Sequence, residues 1–108
     1  MIKGEIWLTQ FPPTDGHEQS GTRPVIILSD LNPNTAIIIP FTTNVQALRY
    51  LNTIEAQPSK ENGLLETSIA LVFQLRAIDK KRLIKKTGIV ENNILLQIDQ
   101  TLRNILEL

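Results

Sequence analysis

The chain has 108 residues, of which 42% are hydrophobic and only 5% aromatic, and its 11 basic residues balance its 11 acidic ones. Such a length and composition suit one globular domain, residues 1–108, with a single aliphatic core of Ile, Leu and Val. With no cysteine and one histidine, a disulfide scaffold, a cysteine nucleophile and a His-rich metal site are excluded, and neither a metal nor a cofactor is expected.

No apolar run approaches the roughly 20 residues of a membrane span. The start, Met1-Ile2-Lys3-Gly4-Glu5, lacks the apolar region of a signal peptide. A soluble cytoplasmic protein without membrane contact is therefore the expectation.

Hydrophobic period and punctuation lay out the elements in chain order. Glu5 to Gln10 reads as a strand closed by Phe11-Pro12-Pro13, where two prolines stop ladder hydrogen bonding. Val25 to Ser29 is a β-branched run short enough for a buried strand, and Asp30 to Asn34 carries turn chemistry. Thr35 to Phe41 is a third strand, with Pro40 at a sheet edge or bulge, followed by the polar loop Thr42-Thr43-Asn44. A weaker strand spans Thr53 to Ala56, then a loop runs through Pro58 to Gly63. Thr67 to Phe73 reads as a strand. Asp79 to Leu83 is a single helical turn capped by Asp79, and Thr87 to Val90 returns to an extended segment.

The tail from Glu91 to Leu108 predicts the one clear helix. Ile94, Leu95, Ile98, Leu102, Ile105 and Leu106 recur at spacings of three and four and form one stripe, suited to core or dimer packing. Short strands with a terminal amphipathic helix predict a mainly β (α+β) fold, a small curled antiparallel sheet or barrel covered by the helix.

Two segments carry chemistry. Gly16-His17-Glu18-Gln19-Ser20-Gly21-Thr22-Arg23-Pro24 is a polar block between two strands, the place where binding groups sit on a rigid sheet. His17 is the natural titrating group. Arg23 can hold two phosphate oxygens, and Pro24 restricts its backbone to extended conformations. Glu18 and Gln19 serve either a ligand or the loop's own hydrogen bonds. The second segment, Arg76 to Lys86, holds six basic residues against one acid, Asp79. It is either a solvated face or a patch for a polyanion. A chain of zero net charge is unsuited to coating DNA without regard to sequence, but a local groove for a short strand remains open. Arg76 either contacts such a strand or pairs with Asp79, and Trp7 reads as core before it reads as a base-stacking platform.

Three of these stretches together, Gly4-Glu5-Ile6-Trp7 with the Gly16–Pro24 block, Pro40-Phe41-Thr42-Thr43, and Gln74-Leu75-Arg76-Ala77-Ile78-Asp79-Lys80-Lys81-Arg82-Leu83, resemble the MazF/PemK (Kid) family of toxin endoribonucleases. The similarity spans the chain and includes the C-terminal helix. It implies an SH3-like barrel of the CcdB/PemK type and a homodimer. The implied activity is metal-independent cleavage of single-stranded RNA by 2′-OH attack, leaving 2′,3′-cyclic phosphate and 5′-OH ends and inhibiting translation and growth. The implied partners are the RNA substrate and a cognate antitoxin with an acidic, disordered C-terminal tail. The toxin–antitoxin complex would bind operator DNA.

Carried over residue by residue, the resemblance makes Arg23, Thr42 and His17 catalytic. It places Glu18, Gln19, Thr22, Thr43, Thr67, Gln74 and Arg76 against RNA. One departure matters. Where the Kid-like branch carries an Arg and, two positions on, an acid, this chain has Leu71 and Phe73. Arg23 and Thr42 then stand ahead of His17. The alternative reading is a member of the fold that binds antitoxin or nucleic acid without cleaving. A gyrase-directed toxin on the same barrel is a third, since that family shares the fold without this loop block.

Overall fold

A computed structural model describes residues 1–11 and 21–108. In chain order these residues form β1 (Glu5–Phe11), β2 (Gly21–Asn32), β3 (Thr35–Thr42), β4 (Thr53–Ala56), β5 (Ser68–Leu71), β6 (Arg76–Asp79), β7 (Leu83–Ile89) and α1 (Asn92–Leu106). Short 3-10 turns lie at Val45–Arg49, Val72–Gln74 and Lys80–Arg82. The strands make one antiparallel sheet in the order β4-β5-β3-β2-β1-β7, and β6 pairs with the part of β3 that β5 leaves uncovered. The curled sheet with a C-terminal helix agrees with the sequence expectation.

Strand alternation separates two cores. Ile6, Ile26, Ile39 and Phe41 face one way, where Ile94 and Ile98 of α1 close the larger core, with Leu95, Leu102 and Ile105 packed at its border. Leu106, expected in the same stripe, is exposed. On the other face Phe11, Val25, Ile27, Ala36, Ile38 and Ile78 form a second cluster, flanked by Trp7 and Leu83. A flat sheet could not bury both faces with one helix, so it must curl. Register shifts between Ile27 and Ser29, between Asp30 and Asn32, and twice along β1–β7 supply that bend.

Several boundaries differ from the sequence reading, and neighbouring strands account for most of the differences. β2 begins at Gly21 instead of Val25, so Gly21 to Pro24 of the polar block belong to the strand, where they pair with Phe11 to Leu8 of β1. Asp30 to Asn32 remain in β2, because the hairpin turns on Pro33-Asn34 alone, with Asn32 Oδ1 accepting the Asn34 N–H at 2.8 Å. The strand expected to Phe73 stops at Leu71, opposite Thr53 at the start of β4. The chain then tightens so that Leu75, whose N–H donates to the Val72 carbonyl at 3.1 Å, packs back on the larger core. β6 had no strand assigned in the sequence reading; of its four residues only Ile78 is buried, too little alternation to read. β7 begins at Leu83 instead of Thr87, since Lys85 and Lys86 lie opposite Leu8 and Trp7 on an edge strand, where lysines block further pairing. The turn capped by Asp79 is present, its Oδ1 accepting the Lys81 N–H at 2.9 Å.

Both sheet prolines fall where a missing N–H is harmless. Pro24 lies one residue outside the last β2–β3 pair, Val25 opposite Pro40. Pro40 sits where the far neighbour of β3 changes from β6, ending at Ile38, to β5, starting at Phe41.

Candidate active site

Register places the two principal residues. In β2–β3, Val25 stands opposite Pro40. The same register continued by two residues brings Arg23 level with Thr42, on the face of Val25, Ile27 and Ile38. Across β1, Arg23 is paired with the fully buried Thr9. Its Nε is buried and has no hydrogen-bond partner among the described residues. A buried donor left unsatisfied costs about 1–3 kcal/mol, which an incoming oxyanion would recover.

Thr42 ends β3, and its Oγ1 accepts the Asn44 N–H at 3.2 Å. A hydroxyl has one proton and two lone pairs, so this contact orients the oxygen while leaving its proton to donate outward. Asn44 in turn caps the next 3-10 turn by accepting the Gln46 N–H at 3.1 Å. Thr42 therefore stands at a braced strand end.

Beyond Thr42 opens a groove of about 450 Å³ whose walls include Asn44, Gln46, Arg49, Tyr50, Phe73 and Gln74. Leu71 lies in its floor, buried against Ala47 and Ile69. Arg76 shares the sheet face of Arg23, being paired with Ile38, and its guanidinium lies 4.4 Å from the centre of the Phe11 ring. A cation on an aromatic face is held there by the ring quadrupole.

The other residues expected at the site are distributed differently. Thr22 points to the opposite face from Arg23 and donates to Gln10 Oε1 at 2.8 Å. Thr43 lines a separate cavity of about 430 Å³ with Pro24, Leu64, Lys85 and Thr87. Thr67 precedes β5 and donates to Gln57 Oε1 at 2.8 Å. His17, Glu18 and Gln19 lie outside the described residues. Among the described residues no cluster of His, Cys, Asp or Glu forms a metal-holding group, and no helix is long and apolar enough to cross a membrane.

Sequence reasoning missed Thr9, Asn44, Gln46, Arg49 and Tyr50. The polar run Asn44-Val45-Gln46 directly after Thr42-Thr43 was the available signal. Arg49-Tyr50 carried none, because only the 3-10 turn at Val45–Arg49 swings them into the groove.

Comparison with known proteins bears on the fold and the family. The model of the family described as PemK-like, MazF-like toxin of type II toxin–antitoxin system matches residues 2–106. An endoribonuclease MazF of Staphylococcus epidermidis is 29% identical over 104 residues, covering 93% of this chain and 86% of that protein. Among solved structures, MazF from Deinococcus radiodurans superposes with a TM-score of 0.80 at 22% identity, covering 98% of this chain and 96% of the other. A Mycobacterial endoribonuclease solved in complex with its cognate antitoxin gives 0.72 at 17% identity, over 100% and 94% of the two chains.

Proposed function

We infer that this chain, which belongs to the PemK-like, MazF-like toxin family of type II toxin–antitoxin systems, is the toxin of such a pair and an endoribonuclease acting in the cytoplasm on single-stranded RNA. Residues 1–108 serve as one toxin domain. The reading is carried by Arg23, whose Nε–H lacks a partner among the described residues, and by Thr42, with which Arg23 comes level when the β2–β3 register is continued two residues beyond Val25 opposite Pro40.

The chemistry uses the substrate's own nucleophile. The ribose 2′-oxygen attacks the adjacent phosphorus, its proton passes to a base, and the bond to the 5′-oxygen breaks as that oxygen gains a proton. The products are a 2′,3′-cyclic phosphate and a 5′-hydroxyl, and DNA, lacking the 2′-OH, is inert. Arg23 and the Thr42 hydroxyl donate to the phosphoryl oxygens as charge builds on them. His17 is assigned to proton transfer, and Gln74 and Arg76 to the path of the strand. Cleavage of mRNA would stop translation and growth. The partners that follow are a second copy of the chain, an antitoxin with an acidic tail, and operator DNA for the toxin–antitoxin complex.

The test is incubation of the protein with long single-stranded RNA in excess chelator. The expected result is cutting that leaves cyclic phosphate and 5′-OH ends. Arg23→Ala, with its circular dichroism unchanged, should lose about 100- to 1,000-fold in rate, as for removal of one oxyanion donor. Intact RNA would overturn the nuclease reading. It would favour the second one, a binding-only member of the fold, for which apolar Leu71 and Phe73 in the groove speak.

A further inference from the structure

The groove beside Thr42 holds a feature that phosphate chemistry does not require. Of the five aromatic side chains in the sequence, Phe11 and Phe41 are 1% exposed, whereas Tyr50 and Phe73 are 49% and 40% exposed. These two pack against each other in the groove's lining with ring centroids 6.0 Å apart and planes tilted by 56°. The Arg49 guanidinium lies 5.1 Å from the Tyr50 ring centre, and its Nη2 donates to the Tyr50 hydroxyl at 3.1 Å. The aromatic pair is thus fixed in place while kept in solvent.

We propose that Phe73 and Tyr50 form a base-stacking subsite that takes one unpaired nucleobase of the RNA next to the scissile phosphate. The proposal rests on the nuclease reading above and adds what sets its sequence preference. Thr42 borders both the Arg23 face and this groove, so a strand with its phosphate at Thr42 directs the neighbouring nucleotide onto the rings. The tilted rings already touch, which leaves no slot between them, and the base stacks on their outer face.

The remaining walls favour nucleic acid over a protein partner. Asn44, Gln46 and Gln74 offer amides to a base edge, Arg49 offers charge to the backbone, and no carboxylate among the described residues lines the groove. Flat apolar surface with cationic and amide surroundings is how proteins hold splayed single-stranded bases.

The experiment has two arms. Cleavage of a randomised RNA pool is sequenced for the wild type, Phe73→Leu, Tyr50→Leu and Phe73→Trp. Loss of one stacked base corresponds to roughly 5- to 150-fold in affinity. Phe73→Leu and Tyr50→Leu should therefore raise KM by that factor and relax the preference at one nucleotide position, with little change in kcat. Phe73→Trp should retain both. In the second arm, uncleavable 2′-deoxy-substituted oligoribonucleotides carrying 2-aminopurine report stacking by fluorescence quenching.

Quenching by the wild type that is lost in Phe73→Leu supports the subsite even if the wild type cuts nothing, in which case only the nuclease reading falls. Cutting with an unchanged profile in both leucine variants, or without quenching, overturns the subsite and leaves the nuclease reading standing. Neither cutting nor quenching overturns both. A concentration-dependent dimer that Tyr50→Leu abolishes, with the RNA profile unchanged, would assign the pair to an interface between copies and overturn the proposal.

Discussion

Glu5 illustrates how a single side chain can hold an edge together. It is buried on β1, where the Trp7 indole N–H donates to its Oε1 at 3.0 Å and Lys86 of β7 lies 3.3 Å from its Oε2. Burial pushes the carboxyl up, but the Trp7, Lys86 and Ile2 contacts together outweigh it and hold it below its ordinary value. A depressed carboxylate stabilises the fold above its unfolded pKa, and that stabilisation is lost as pH falls through the folded value. Glu5→Gln keeps an acceptor for Trp7 and loses the charge. It should therefore cost about 1 kcal/mol at pH 7, and the gap to wild type should close in urea melts near pH 3. A constant gap at both pH values would mean that packing and not charge is responsible. The Glu5–Trp7 contact also explains why Trp7 is only half-buried at the border of the smaller core. The motif resemblance put Arg23 and Thr42 forward; Thr42 closes β3, whereas Arg23, expected in a loop, is the third residue of β2. Tyr50 and Phe73 were not legible as a pair, since 23 positions and two strands separate them and only the turns after β3 and β5 bring them together.

At the scale of elements, the loop between β4 and β5 is the least regular part and among the most constrained. Asn62 is fully buried there. Its Nδ2 donates to the Gln57 carbonyl and to Glu91 Oε1, both at 2.8 Å, and its Oδ1 accepts the N–H groups of Ser59 and Leu64, both at 2.9 Å. Glu91 is the N-cap residue at the start of α1 and takes a further bond from Ser59 Oγ at 3.0 Å, so one asparagine ties the loop to the helix start. The loop lies so close to β7 that a Cβ on Gly88 would stand 2.4 Å from the Asn62 carbonyl. Gly88→Ala has no room and should destabilise the fold by about 1–3 kcal/mol, the range of overpacking. Asn62→Ala should cost more, because it leaves several buried groups unsatisfied at once. Thermal melts of the two variants check both, and a Gly88→Ala protein as stable as wild type would contradict this packing.

The sequence pattern identified β3, β4 and α1 because each alternates or repeats strongly enough to stand alone. It misjudged β5, β6 and β7, whose limits are set by neighbours. β5 ends where β4 runs out, β6 exists because half of β3 would otherwise lack a partner, and β7 starts early because β1 offers it an edge. None of these causes is local to the residues concerned.

For the whole molecule, the question is how much positive charge is available to a polyanion. By sequence the segment from Arg76 to Lys86 has six cations and one acid, but the fold neutralises part of it. Lys80 pairs with Asp30, whose carboxyl it holds below the ordinary value, and Lys86 pairs with Glu5. Arg76 is laid on the Phe11 ring. Lys81, Arg82 and Lys85 have no carboxylate partner among the described residues, and they run along the outer edge of the sheet formed by β7 and the turn before it. With Arg23, the chain therefore offers about three to four phosphate contacts. Each contact on a single strand contributes roughly −0.7 to the slope of log K against log salt. An uncleavable oligoribonucleotide of about six nucleotides, short enough to engage a single chain, should give a slope of about −2 to −3 between 50 and 500 mM salt. A slope of −4 or steeper would mean that Lys80 and Lys86 leave their carboxylates for the phosphates, so the ion pairs would be partners of the empty state only. A slope near −1 would reduce the electrostatic contribution to Arg23 alone and place nearly all affinity in stacking and hydrogen bonds.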